Sequence, residues 1–68
     1  VVKVTSLTNT DMEKNTYKIS AFADTKAEIS TATFVGLPAG ATIEMGSSVM
    51  TAAGELAFMK SDGTWNWV

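Results

Sequence analysis

The chain has 68 residues, 46% of them hydrophobic, with five basic and seven acidic side chains and a net charge of −2. It contains no Cys, no His and no Arg. Those absences exclude disulfides, thiolate metal sites and His-based acid–base pairs, and they argue against nucleic-acid binding, which needs clustered Lys and Arg to neutralise phosphates.

The elements follow in chain order. Val2, Val4 and Ser6 alternate with Lys3, Thr5 and Leu7, which predicts a strand over residues 1–7. Thr8 to Asn15 is polar and rich in turn formers. It reads as a turn, or as one helical turn capped by Thr10 or Asp11. Tyr17, Ile19, Ala21 and Ala23 alternate with Lys18, Ser20, Phe22 and Asp24, so Thr16 to Ala23 is a second strand. The two strands suggest an antiparallel hairpin. Asp24 to Ser30 is either loop or a short helix with Asp24 as N-cap. Thr31 to Val35 reads as a short strand. Gly36-Leu37-Pro38-Ala39-Gly40 then breaks the chain, because Pro38 holds Leu37 extended and both glycines permit turns.

Residues 41–45 resume as a strand that Gly46 interrupts. Three strands follow, Ser48 to Thr51, Leu56 to Lys60 and Trp65 to Val68. Ala52-Ala53-Gly54-Glu55 and Ser61-Asp62-Gly63-Thr64 form the connecting turns, and Asp-Gly is a strong hairpin signal. The expected fold is an all-β, small antiparallel single domain spanning 1–68. It has an N-terminal hairpin, a C-terminal three-stranded meander and an optional helical turn between them. A domain this small buries a modest fraction of its surface, so self-association into a homo-oligomer is the expected staple. Seven short strands also suit a β-sandwich module cut from a larger surface protein. The chain begins Val1-Val2-Lys3 and is compatible with a processed, trimmed or excised origin. No apolar run approaches the ~20 residues of a membrane-spanning helix, and no signal-peptide pattern is present.

No catalytic, cofactor or metal-ligating residue emerges, and the chain is expected not to be an enzyme. Asp11, Glu13 and Asn15 come nearest to a calcium loop but lack the downstream bidentate Glu, so a solvated turn is the better reading. Ser47 and Ser48 have no base to activate them. Gly36 and Gly40 lack the Lys-Ser/Thr of a phosphate loop.

The candidate surface lies at the C-terminal end. Trp65 and Trp67 stand two apart on a strand and share one face. They form either a stacking platform for sugar rings or bases, with Tyr17 as a third member, or a packing and interface pair. Packing is favoured, because two Trp supply much of the apolar area in so small a chain. Leu56 and Phe58 share one face of their strand while Ala57 and Met59 share the other, and Val49 and Met50 repeat the pattern. A strand apolar on both sides is either doubly buried or half of a protein interface. The candidate interface residues are therefore Val49, Leu56, Phe58, Met59, Trp65 and Trp67.

The order Leu37-Pro38-Ala39-Gly40-Ala41, Gly46-Ser47-Ser48-Val49-Met50, Gly54-Glu55-Leu56-Ala57-Phe58-Met59 and Asp62-Gly63-Thr64-Trp65 resembles small virion proteins of tailed bacteriophages and prophages. These are of the head-fibre, decoration or minor structural kind. The match covers roughly residues 36–67, and its motifs are turn and packing residues. The resemblance implies a non-catalytic virion component, assembled in the bacterial cytoplasm. It would act by protein–protein interaction with other virion proteins and with itself. Nucleic acid and membrane are not expected partners, and a glycan is the alternative.

Overall fold

The computed structural model describes residues 1–30 and 34–68. Seven strands and one short helix follow in the order β1 (Val2–Asp11), β2 (Thr16–Ala23), α1 (Lys26–Ser30), β3 (Phe34–Val35), β4 (Thr42–Ile43), β5 (Ser48–Thr51), β6 (Leu56–Met59) and β7 (Trp65–Trp67). The all-β class is therefore the observed one. Every strand belongs to a single sheet ordered β3-β1-β2-β5-β6-β7, with β4 also on β2. Among the described residues the strands form one sheet and not a sandwich of two.

Both expected antiparallel units are present. β1 pairs with β2 as a hairpin, and β5, β6 and β7 form a meander. The sheet is nonetheless mixed. β2 joins β5 in parallel, and β3 and β4 add in parallel to β1 and β2. Parallel neighbours need a crossover, and residues 24–47 supply it.

β1 is longer than its hydrophobic alternation suggests. It runs on to Asp11, where residues 8–15 read as a turn from sequence. Thr8, with its β-branched side chain, sits opposite Lys18, and Asp11 opposite Thr16. Thr10 Oγ1 donates to Glu44 Oε2 at 2.9 Å. No helical turn forms there. Instead Asp11 Oδ1 accepts the Lys14 N–H at 3.1 Å, and Asn15 takes the left-handed conformation (φ 51°) that closes the turn.

Residues 26–30 are helical, and the cap differs from the expected one. Glu28, at the third helical position, reaches back to accept the Thr25 and Asp24 N–H groups at 3.2 and 3.0 Å. That is the acidic half of a capping box with Thr25 in the cap position. Of the strand expected over 31–35, Phe34 and Val35 pair with Val2 and Lys3, and residues 31–33 lie outside the described ones. The strand expected over 41–45 shrinks to Thr42 and Ile43, and those expected to reach Lys60 and Val68 stop at Met59 and Trp67.

One face of the sheet carries the core. Val2, Ile19, Ala21, Ala23, Val49 and Ala57 are buried there together with Ile29 of α1. Val4, Ala21, Val49, Ala57 and Trp67 stand in register as one row across five strands. The crossover covers that row with Ile29, Phe34, Leu37 and Ile43. Gly36 supplies the left-handed turn by which the chain leaves β3 beside β1. Its φ is +96°, and a Cβ there would stand 3.5 Å from Val4 Cβ. The break between β4 and β5 is closed by Ser47, which is fully buried. Its Oγ accepts the Ile19 N–H at 2.9 Å, in the place where a continuous parallel strand would offer a carbonyl.

Candidate functional site

With the crossover on one face, the other face of the sheet is left bare. Its residues follow from the same register. Lys3, Phe22, Met50 and Leu56 lie opposite one another across β1, β2, β5 and β6. Val68 extends this row, since its N–H donates to the Leu56 carbonyl at 2.8 Å. The next row reads Ser6, Ser20, Ser48, Phe58 and Asn66. Phe22, Met50 and Phe58 are 41%, 49% and 42% exposed. Covering the open half of each would be worth roughly 1 kcal/mol per side chain.

A cationic band lies beside the apolar row. Lys18 stands two strand periods of two residues before Phe22, on the same face of β2. Its Nζ lies over Gly46, 3.9 Å from where a Cβ would stand. Lys60 sits just past β6, with Nζ 3.7 Å from Asp62 Oδ2 in an exposed ion pair that contributes little stability. Asp62 is held by Thr64, whose hydroxyl and N–H donate to Oδ1 at 2.6 and 3.0 Å. The Thr64 hydroxyl first, then its N–H, keep the Asp62 carboxyl below the usual aspartate range.

The sequence-derived interface residues divide between the two faces. Leu56 and Phe58 lie on the bare face. Val49 and Met59 do not: they are 1% and 7% exposed, inside the protein's own core. A residue already packed there cannot touch a partner. Trp65 and Trp67 are half-buried on the covered face. Phe34 stacks on Trp65 with ring centroids 6.4 Å apart, and Lys26 Nζ lies 4.6 Å from the Trp67 ring centre. Both indoles are thus engaged by the crossover and do not form an open stacking pair. Phe22 and Met50 complete the bare face. Their signal in the sequence was large apolar side chains at positions of β2 and β5 that alternate away from Ile19, Ala21 and Val49.

An open groove of about 420 Å³ lies at the far end of the sheet, lined by Asp11, Lys14, Glu44, Met45 and Lys60 among others. Asp11 and Glu44 are engaged there by Lys14 N–H and the Thr10 hydroxyl. Among the described residues no group of three or more carboxylates gathers as a metal would require, and no helix is long and apolar enough to cross a membrane.

Comparison with protein-family models, with curated proteins and with solved structures finds no match for this chain.

Proposed function

We propose that this chain is a non-catalytic structural module of a bacteriophage virion that docks through the bare face of its sheet onto another virion protein. The observation that carries the docking is the row Phe22–Met50–Leu56 with Phe58 beside it. It places large apolar side chains, of which Phe22, Met50 and Phe58 are about half exposed, on the outer surface of the sheet next to Lys18 and Lys60. Apolar patches of this kind, rimmed by polar residues, mark protein-binding surfaces. The virion setting is supported by the resemblance of residues 36–67 to small phage structural proteins. The carbohydrate-platform alternative has less support, because Phe34 and Lys26 occupy the space over Trp65 and Trp67.

The test is mass spectrometry of gradient-purified particles induced from the source strain, paired with binding of the purified chain to such particles. Stoichiometric peptides of this chain, and binding lost on Phe58→Thr, are the expected results. Clean particles without its peptides would overturn the virion assignment. Binding unaffected by Phe58→Thr and Phe22→Thr would overturn the docking face.

A further inference from the structure

We infer that the chain self-associates through the free edge of β1, two copies pairing antiparallel across a two-fold axis at Thr8. β1 is ten residues long, yet β3 covers only Val2 and Lys3 of its outward edge. Beyond that point β1 has no outer strand partner among the described residues, and Thr5 to Thr10 are all exposed.

The direction of the free backbone groups follows from hydrogen bonds on the far side of β2. The Ile19 N–H donates to Ser47 Oγ, and the Tyr17 carbonyl accepts the Glu44 N–H at 2.7 Å, both away from β1. In an antiparallel ladder, residues directly opposite one another turn their backbone groups the same way, toward each other or away. Leu7 stands opposite Ile19, and Asn9 opposite Tyr17. Leu7 and Asn9 therefore point their N–H and C=O groups out of the sheet.

Those groups are self-complementary. With Leu7 of one copy opposite Asn9 of the other, each such pair exchanges two main-chain hydrogen bonds, and the two-fold repeats the pair. Thr8 then faces Thr8, and Ser6 faces Thr10. No charge opposes a like charge, because Val4 to Thr10 contains no charged residue. Cross-strand Thr and Ser pairs are favourable neighbours. Natural edges are usually blunted by Lys, Pro or a bulge inside the exposed stretch. Here the register shifts lie at either end, between Val4 and Ser6 and between Asn9 and Asp11. The stretch from Ser6 to Asn9 is left regular, and the exchanged main-chain hydrogen bonds, made by Leu7 and Asn9, fall within it. The opposite edge, β7, is three residues long. A β1-to-β7 contact would be head-to-tail and would give a ring or an open filament instead of a two-fold dimer.

This interface is made by the main chain along the edge of β1, whereas docking rests on the side chains of Phe22 and Phe58, so the two proposals are tested by different substitutions and fail independently. The test is sedimentation equilibrium of the full chain up to about 1 mM, a range that detects weak pairing. The mass should rise with concentration toward twice 7.2 kDa. Thr8→Glu and Thr8→Lys, each placing like charges on the axis, should remain single chains with unchanged far-UV circular dichroism. Mixing the two variants should restore the dimer. Thr8→Glu faces Lys18 within its own sheet, so it remains informative if Thr8→Lys fails to fold. A wild-type chain that stays monomeric, a dimer indifferent to Thr8→Glu, or an open-ended series of masses would overturn the inference. So would a dimer abolished by Phe58→Thr alone.

Discussion

Replacing Ser47 with Ala should destabilise the fold out of proportion to the one oxygen removed. Ser47 is fully buried, and its Oγ lies 2.9 Å from the Ile19 nitrogen. Ile19 is itself 2% exposed, so no water can replace the lost acceptor without opening the sheet. Leaving a buried N–H unpaired costs about 1–3 kcal/mol. A chain of 68 residues is expected to hold roughly 3–10 kcal/mol in all. The substitution therefore removes a substantial fraction of that stability, and the midpoint of thermal unfolding should fall by about 5–20 °C. Urea denaturation followed by circular dichroism gives the free energy, and hydrogen exchange gives the site. The Ile19 amide should lose protection more than its neighbours do. Ser48→Ala is the control, because Ser48 faces the bare side of the sheet; it should stay within about 0.5 kcal/mol of wild type. A Ser47→Ala chain as stable as the control, with Ile19 still protected, would refute the view that this hydroxyl closes the gap between β4 and β5.

Val49→Ala, within the core row, should cost about 2 kcal/mol, whereas Phe58→Thr on the bare face should cost about 1 kcal/mol or less and act mainly on particle binding; denaturant titrations of both variants rank them. A double-mutant cycle on Phe34 and Trp65 should return a coupling of about 0.5–1.5 kcal/mol from the stacked rings, and a coupling near zero would remove Phe34 as the cover of Trp65. Asp62 has its folded pKa lowered by the Thr64 hydroxyl and N–H. Its contribution to stability is therefore present above the unfolded-state value and fades as pH falls through the lower folded one. An NMR titration should show the Asp62 carboxyl and the Thr64 amide moving together below the usual aspartate range, and Thr64→Ala should return the midpoint toward it.

Much of the local structure was legible in the residues. β2 and β5 fall at the limits their alternation sets, and the Asp62-Gly63 and Ala53-Gly54 connections turn where glycine supplies a positive φ of 84° and 83°. Those signals are carried by neighbours in the chain, so they survive without knowledge of the fold. The extension of β1 through Thr8, Asn9 and Thr10 was not legible. A polar Thr/Asn stretch becomes strand only because β2 lies beside it and Glu44 arrives to accept the Thr10 hydroxyl.

The candidate site divides the same way. Sequence alone determined that β6 is apolar on both sides, through Leu56 and Phe58 on one and Ala57 and Met59 on the other. It could not determine which side is core, since both satisfy the same two-residue period. The tertiary structure decided that by packing Ile29, Phe34, Leu37 and Ile43 into the core cluster that holds Ala57 and leaving Phe58 bare. It also joined the two antiparallel units in parallel through β2 and β5 and left β1 with an open edge. Hydrogen bonds between strands distant in sequence, and the single crossover that can cover only one face, carry no signature in any local stretch of residues.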